Sequence, residues 1–384
     1  MKDPRLQPLL DPVYVTQPTL PKLLDYEQLL VRIWESKRLT NTGELHAELE
    51  HKLSEYLHPD HVALMCNGTT ALLIALRLFD IPAGSEIITT PFTFPATISA
   101  IAWSGFRPVF CDIDKHTLNL NPDLLRDLIT PRTKAILPVH VFGRPCTGVS
   151  AIAASHNLKV IYDAAHAFGV SQNGRAAAHL GDVSILSFHA TKLFSCIEGG
   201  AIVTHTEHLR QKAVQLRNFG FRSEDVVSFP GINGKMSEVH AAYGLLNLDM
   251  LNDEIAARRW HSAAYRTGLH NIPGITIMQP EGTETQAQHY AYMPILVDAD
   301  HYGISRDALH KRLQTMNVFT RKYFQVSPEF LRFYESYGSA DLPVAHDVSK
   351  RILCLPLYRT LKDRTVASIC EMISAIHDEA MCSV

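Results

Sequence analysis

The sequence has no block of like charges and no long hydrophobic run. Its 36 Lys and Arg residues nearly balance its 39 Asp and Glu residues, which gives a formal net charge of −3. This balance argues against a nucleic-acid footprint and a basic membrane patch. No apolar run is long enough to span a bilayer, and prolines interrupt the N-terminal stretch where a signal peptide needs an apolar helix. We therefore expect a cytoplasmic protein that acts on a small molecule.

Spacings typical of metal sites are also missing. The seven cysteines are scattered without a CxxC pair, and several lie in apolar runs, which favours buried free thiols over a zinc site. His46 and His51 fall in a charged helical pattern without HExxH spacing. That pattern favours a solvated helix face over a pair of metal ligands, so we expect no bound metal.

Short apolar runs alternate with helical patterns from about residue 60 onward. The runs are HVALMC, SEIITTP, RPVFCDI, KAILPVHV, LKVIYDA, DVSILSF and GGAIVTH. Such segments are typical of buried parallel strands joined by crossover helices. The pattern predicts an α/β fold, with a doubly wound, mostly parallel sheet in a large domain over residues 1–250 that includes the N-terminal segment. A smaller α+β domain is predicted over residues 251–384, and the chemistry is expected at the carboxyl ends of the strands.

Two stretches near predicted strand ends carry polar groups. ALMCNGTTALLIAL reads as a strand, a glycine turn and a helix start, where Thr69 and Thr70 meet free backbone N–H groups. These groups could form an anion site, but taken alone the signal is weak, because a plain N-cap with Ser or Thr is common at helix starts. In KVIYDAAHAFG, Asp163 ends a strand and His166 follows. The carboxylate either caps the next helix or keeps a proton on a ring nitrogen.

Lys192 follows an apolar run in SFHATKLFSCIEGG. A lysine in such a place loses solvation, which lowers the pKa of its amine and favours Schiff-base chemistry. The alternative is an ammonium group that reaches water along its own stem. Together with the aromatic stretch PFTFPAT, the anion site and Asp163, Lys192 completes the set of groups that holds pyridoxal phosphate.

Five motifs, in their order along the chain, resemble those of the DegT/DnrJ/EryC1/StrS sugar aminotransferases. They are GTTALLIAL, VHVFGRP, IYDAAHAFG, SFHATKLFSCIEGGAIVT and PGINGKMSEVHAAYGLLNLDML. The resemblance extends from RLTNTGELHAELEHKLSEYL to RILCLPLYRTLKD. It implies the aspartate-aminotransferase-like fold type I and a pyridoxal-phosphate-dependent transaminase that cycles between the pyridoxal and pyridoxamine forms of the cofactor. It also implies that Lys192 holds the cofactor and moves the proton, that Asp163 pairs with the pyridine nitrogen, that His166 lies near the phenolic oxygen and that Phe94 stacks on the ring.

The same resemblance implies a shared phosphate site. Thr69, Thr70 and Ser187 would hold the phosphate of the cofactor, and Asn233 would reach the phosphate of the neighbouring subunit. The working unit implied is a homodimer with shared active sites.

This sequence also departs from the family pattern. Lys235 stands where relatives often have arginine, which keeps the charge and loses a bidentate fork. Gln325 and the loop after it, in TRKYFQVSPEF, replace a Tyr-Pro common in relatives and are expected to reshape the sugar or nucleotide pocket. Glu198 is expected near the sugar.

The form SFHATK followed by EGG resembles the members that aminate C4 of nucleotide-linked 4-keto-6-deoxy sugars. It implies L-glutamate as donor and dTDP-4-keto-6-deoxyglucose as acceptor, in O-antigen or other lipopolysaccharide biosynthesis. The alternatives are a 3-aminotransferase acting on a 3-keto sugar, a dehydratase of the same fold, whose relatives have histidine in place of Lys192, and a non-catalytic sensor. The sequence leaves open the nucleotide, the exact sugar and the orientation of the product amine.

Overall fold

A computed structural model describes residues 3–57, 61–279, 282, 286–326 and 341–382. In these ranges the chain forms the following strands: β1 Val13–Tyr14, β2 His61–Met65, β3 Glu86–Thr89, β4 Arg107–Phe110, β5 Thr133–Leu137, β6 Lys159–Asp163, β7 Ser171–Gln172, β8 Arg175–Ala176, β9 Val183–Ser187, β10 Gly200–Thr204, β11 Phe221–Ser223, β12 Val226–Val227, β13 Ile275–Ile277, β14 Gln286–Ala287, β15 Met293–Val297, β16 Val318–Phe319 and β17 Ile352–Leu355.

The described helices are α1 Leu23–Ser36, α2 Glu44–Leu57, α3 Gly68–Arg77, α4 Pro95–Trp103, α5 Leu125–Leu128, α6 Val149–Ser155, α7 Glu207–Leu216, α8 Glu238–Asp249, α9 Leu251–Leu269, α10 Ala299–Tyr302, α11 Arg306–Thr315, α12 Pro343–Arg351 and α13 Asp363–Cys382. Their starts follow ordinary capping chemistry. The Asn67 side chain accepts a hydrogen bond from the Thr70 N–H at the start of α3, and Pro95 occupies the first turn of α4.

The central sheet has the strand order β2-β10-β9-β6-β5-β3-β4. Strands β4, β3, β5, β6 and β9 run parallel to one another. Most residues of the four inner strands β3, β5, β6 and β9 are buried, whereas β4, at the sheet edge, is half-buried. Strands buried on both faces must be apolar throughout, which is why the runs of Val, Ile and Leu predicted them. The predicted mostly parallel α/β sheet is confirmed.

One strand of the sheet runs the other way. The run GGAIVTH, expected among the parallel strands, forms β10, which is antiparallel to both β2 and β9. The connection from Ser187 to Gly200 contains turns and bends but no helix. A parallel return needs a crossover connection, usually helical, so the chain instead turns back after the segment that carries Lys192.

The C-terminal part of the chain has its own antiparallel sheet, in the order β13-β15-β17. Helices α9 and α13 pack on it, with Tyr265, Ile295 and Ile373 in one buried cluster. The first strand of the chain joins this region, because β1 pairs in parallel with β16 and Val13 belongs to the same cluster. Between the two sheets, helices α8 and α9 follow one another in the chain and meet at Met250. The domain boundary at residue 250 stays a prediction.

The expectation of a solvated face for His46 is wrong. His46 is 0% exposed, because it lies on the same helix face as the buried Leu49 and Leu53. Burial lowers the pKa of His46 to about 4, so the ring is neutral at pH 7. His51 is exposed, as expected.

The seven cysteines are free thiols, and five of them are buried. Over the residues that the structure describes, no helix combines the length and apolar character needed to cross a membrane.

Candidate active site

A cavity of about 330 Å³ lies where strands β2, β6 and β9 of the central sheet end. Its lining includes Thr69 after β2, Asp163 at the end of β6 and Ser187 at the end of β9. The C-terminal part of the chain contributes Tyr292 and Phe324 to the opposite wall. Ligands of open α/β sheets bind at the carboxyl ends of the strands, so this cavity is the candidate active site.

Asp163 is a buried carboxylate, 5% exposed. The Thr97 hydroxyl donates to its Oδ2 at 2.7 Å, and the Ala165 N–H donates to its Oδ1 at 3.0 Å. Burial raises the pKa of Asp163, although these two hydrogen bonds and the charge of Lys192 oppose the shift. A carboxylate buried in this way is stable as an anion only with a cation beside it, and a protonated ring nitrogen is such a cation.

Lys192 lies in the turn after β9, with its Nζ 3.2 Å from the hydroxyl oxygen of Tyr292 and 5.9 Å from the centre of that ring. Loss of solvation lowers the pKa of the Lys192 amine to about 8, although the negative charge of Asp163 opposes the shift. About a fifth of the amine is therefore neutral near pH 7.4, and the neutral amine is the form that attacks a carbonyl carbon.

His166 stacks on Phe324, with ring centroids 5.4 Å apart and an angle of 3° between the rings. Burial and the nearby charges of Lys192 and His289 lower the pKa of His166 well below its usual value, so its ring is neutral. Its Nδ1 is buried and has no hydrogen-bond partner within the described part of the chain. Such an atom is costly unless a bound group pairs with it, which fits a polar cofactor in this cavity.

The wall formed by the start of α3 is tightly built. A Cβ on Gly68 would lie 3.0 Å from the Cβ of Ser187, so a larger residue there would have to push the helix start away from β9 by a few tenths of an ångström. Thr69 and Ser187 line the cavity there, beside the first turn of the helix, where free N–H groups favour an anion.

Two residues predicted for the phosphate site are not among the residues that line the cavity. The Thr70 N–H donates to Asn67, and the Thr70 hydroxyl accepts from the Cys66 thiol at 3.3 Å. Asn233 is exposed and pairs through its backbone with Asn218. Its predicted contact is with the cofactor phosphate of a neighbouring subunit and stays a prediction.

The remaining predicted positions surround the cavity. Phe94 is 57% exposed and lines it just before α4. Glu198 also lines it, with its Oε1 3.6 Å from Nε2 of His189. Lys235 donates to the Asn218 side chain at 2.8 Å. Gln325 lines a neighbouring cavity, and most of the loop after it, residues 327–340, lies outside the described residues.

Sequence reasoning missed several residues of the site. Thr97 holds Asp163, Tyr292 contacts Lys192, and Arg321, Tyr323 and Phe324 complete the wall. Thr97 lies in the stretch PFTFPAT, whose aromatic rings alone supported the prediction. The clustering of aromatic and basic residues in TRKYF was the available signal for the wall.

The sheet, the carboxylate at a strand end and the lysine in the next turn define an α/β enzyme of the aspartate-aminotransferase-like fold type I. The crystal structure of DesI in the presence of its TDP-sugar product has a TM-score of 0.92 and 33% identity, covering 98% of this chain and 96% of that one. The model of the DegT/DnrJ/EryC1/StrS aminotransferase family matches residues 25–374, and the chain belongs to this family. The predicted family, fold type and aminotransferase class are confirmed.

Two curated relatives are similar over nearly their whole length. A dTDP-4-amino-4,6-dideoxy-D-glucose transaminase of Shigella dysenteriae is 42% identical over 368 residues, covering 95% of this chain and 99% of the relative. A transaminase of the same name from Escherichia coli is 40% identical over 365 residues, covering 94% of this chain and 97% of the relative.

The low pKa of Lys192 predicts a pH profile. We expect the rate at which the apoenzyme reacts with pyridoxal phosphate to rise with pH and to level off above about pH 8, because only the neutral amine reacts and its pKa is about 8. An ordinary lysine would continue to gain reactivity up to about pH 10.4. The initial absorbance change, followed across this range, measures the profile. A rate that still rises steeply above pH 9 would contradict a desolvated Lys192.

Proposed function

We propose that this protein uses pyridoxal phosphate to transfer the amino group of L-glutamate to C4 of dTDP-4-keto-6-deoxyglucose. The observation that carries the reaction class is the presence of buried Asp163 and of Lys192, whose pKa is lowered by burial, in the lining of one cavity. The acceptor rests on the 42% identity to the dTDP-4-amino-4,6-dideoxy-D-glucose transaminase of Shigella dysenteriae over 95% of this chain.

Pyridoxal phosphate, when bound, supplies an electron sink that makes the proton on the amine-bearing carbon of the donor acidic. In this role Asp163 keeps a proton on the ring nitrogen, and the Thr97 hydroxyl orients Asp163. Thr69, Ser187 and the start of α3 hold the phosphate, while Phe94 covers the ring and His166 Nδ1 pairs with a polar ring substituent. Thr70 is assigned to the same phosphate through its place in the first turn.

Lys192 moves the proton. Its neutral amine would remove a proton from Cα of glutamate and pass it to the cofactor, and in the second half of the cycle it would take a proton back from the cofactor and deliver it to C4 of the acceptor sugar. A pKa of about 8 places both forms within reach near neutral pH. Tyr292, which Lys192 contacts at 3.2 Å, limits where the amine can move. Because one group delivers the proton, it determines the face of C4 that receives it.

The test combines the purified protein with pyridoxal phosphate, L-glutamate and dTDP-4-keto-6-deoxyglucose, and NMR then locates the new amine. We expect nitrogen at C4 of the sugar. If the sugar stays unchanged while glutamate converts the cofactor to its pyridoxamine form, the transaminase assignment holds and the acceptor is wrong. Amination of a 3-keto sugar instead would favour the 3-aminotransferase alternative. Lys192→Ala protein serves as the control without transfer.

We propose further that the working unit is a homodimer in which Asn233 holds the cofactor phosphate of the neighbouring subunit. Asn233 is exposed, and the large apolar side chains of Phe219, Val227 and Ile232, in the surrounding segments, are 48%, 57% and 43% exposed. Exposed apolar groups that cluster in this way are typical of an interface between proteins. The cytoplasmic location and the role in lipopolysaccharide biosynthesis stay predictions.

Removal of the Asn233 side chain tests the shared site. We expect Asn233→Ala to weaken pyridoxal phosphate binding by about 10–100-fold, since a hydrogen bond to a charged group contributes about 1.5–3 kcal/mol, while sedimentation still shows a dimer. Asn252→Ala, at an exposed position in α9, is the matched control. A monomer that holds the cofactor tightly and turns over would rule out the role of Asn233.

A further inference from the structure

Tyr292, the residue that contacts the Lys192 amine, lies at the end of an irregular segment that leads into β15. Within this segment Tyr290 has a φ of 53°, a left-handed conformation that a bulky residue keeps only where its surroundings hold it. Tyr292 is 7% exposed, and its hydroxyl oxygen lies 3.2 Å from Lys192 Nζ. The groups that hold this segment therefore also determine where the hydroxyl lies.

Helix α9 holds the segment through a buried arginine. The Arg258 guanidinium, 2% exposed, donates to the Ala291 carbonyl at 3.1 Å. Its Nε donates to Glu254, also 2% exposed, at 2.6 Å, and the Thr19 hydroxyl donates to the second oxygen of that carboxylate. Because the ion pair fixes the guanidinium, the guanidinium in turn fixes the Ala291 carbonyl.

A glutamine holds the next carbonyl along the chain. Gln279, 4% exposed, donates from its Nε2 to the Tyr292 carbonyl at 2.6 Å. Its Oε1 accepts from the hydroxyl of Ser262, which lies one turn after Arg258 on α9. The Ala291 carbonyl belongs to the peptide unit before the Tyr292 Cα, and the Tyr292 carbonyl belongs to the unit after it. Each unit is planar, so fixing both units fixes the direction in which the tyrosine side chain leaves the backbone.

We propose that Arg258 and Gln279 are positioning residues that hold the Tyr292 hydroxyl where it orients the Lys192 amine. The inference rests on the proposed function, because that function gives Lys192 the chemistry that the hydroxyl serves. Neither Arg258 nor Gln279 lines the cavity, so both act through Tyr292. Apolar side chains of the same volume are often at least as stable as a buried ion pair. The ion pair of Arg258 supplies something else, a rigid donor directed at one carbonyl.

The test measures the rate at which the apoenzyme reacts with pyridoxal phosphate, on both sides of the Lys192 pKa of about 8. The plateau at high pH reports where the neutral amine lies, and the midpoint reports its protonation. We expect Gln279→Met, which removes a donor without changing charge, to lower the plateau rate by about 10–100-fold, because a displacement of about 1 Å can cost about 10²-fold. Tyr292→Phe, which removes the hydroxyl, should have a similar effect.

The combined variant of Gln279→Met with Tyr292→Phe distinguishes positioning from general damage. If Gln279 acts through the hydroxyl, its substitution should change the plateau rate by less than about twofold once the hydroxyl is absent. Losses that multiply would overturn the proposal, since independent effects add in free energy. An unchanged plateau rate in either single variant would overturn it as well.

The arginine is tested together with its ion-pair partner, because Arg258→Met alone would leave Glu254 as an unpaired buried charge. We expect the double variant Glu254→Gln/Arg258→Met to lower the plateau rate by about 10–100-fold. Arg306→Met is the matched control. Arg306 is 4% exposed and donates to the Ile352 carbonyl at 2.5 Å, but it does not line the cavity, so this variant should react at the wild-type rate. Equal losses in the double variant and in Arg306→Met would overturn the role of Arg258.

This reaction needs neither glutamate nor a sugar, so a wrong acceptor in the proposed function leaves the test of positioning unaffected. Failure of the wild-type apoenzyme to react with pyridoxal phosphate through Lys192 would instead defeat the proposed function itself.

Discussion

Lys192→Ala is expected to lower amine transfer from glutamate by more than about 10³-fold. The variant loses the group that moves the proton, a contribution of about 10²–10⁴-fold in enzymes generally, and also the nucleophile that holds the cofactor. The Lys192 side chain contacts Tyr292 at the cavity wall and supports no helix or strand, so the variant should fold. Single-turnover kinetics with glutamate measure the effect.

Two variants distinguish the chemical role of the Lys192 amine from the effect of its positive charge. Lys192→Arg keeps a cation beside Asp163 but has a pKa too high to carry a proton, so it should be as inactive as Lys192→Ala. Lys115→Ala removes an exposed lysine outside the cavity and should be fully active. Borohydride reduction followed by peptide mapping gives a readout besides activity, since it should label Lys192 in wild type. Transfer by Lys192→Ala at the wild-type rate would show that the proposed mechanism is wrong.

Asp163→Asn is expected to leave the cofactor bound while transfer falls by about 10²–10³-fold, a loss typical of removing one preorganised electrostatic group. Asparagine keeps the shape of the side chain and can still accept from the Thr97 hydroxyl, which lies 2.7 Å from Asp163 Oδ2. It has no charge with which to hold a proton on the ring nitrogen, so proton removal from the donor slows. Hydrogen exchange at Cα of glutamate reports this step directly.

A substitution of Thr97, the hydrogen-bond partner of Asp163, should lower the transfer rate by less than Asp163→Asn does. Thr97→Val removes one hydrogen bond but keeps the carboxylate, so its loss should be about 10-fold, smaller than that of Asp163→Asn. Asp127→Asn makes the same change at an exposed position in α5 and should have no effect. Unchanged turnover in Asp163→Asn would contradict the proposed pairing with the ring nitrogen.

The sheet and half of the candidate site were predictable from the sequence, because both depend on apolar runs and on the residues that directly follow them. Buried parallel strands must be apolar along their whole length, and the residues that follow them meet at one edge of the sheet. Asp163 and Lys192 each follow such a run, so their convergence could be expected before any coordinates. The direction of β10 was mispredicted because an apolar run carries no information about its partner; the short, helix-free connection was the better signal.

The other half of the site comes from distant parts of the chain. Tyr292 is 100 residues away from Lys192 in sequence, yet the two side chains touch. Nothing near Tyr292 marks it as part of a site, since a tyrosine in an apolar stretch fits an ordinary core. His46 shows the reverse error, because its charged neighbours suggested a solvated face, whereas its spacing to Leu49 placed it in the buried stripe.

The pairing of β1 with β16 also affects the order in which the protein can be completed as it is made. Val13 pairs with Val318, roughly 300 residues later. At a synthesis rate of about 5–20 residues per second, the first strand waits about 15–60 s for its partner. Strand β6, which ends at Asp163, and the turn that carries Lys192 leave the ribosome well before then. A ribosome-bound chain that stops before β16 lacks Phe319, and it also lacks Arg321, Tyr323 and Phe324 of the cavity that contains Lys192. That cavity is therefore complete only when most of the chain has been made.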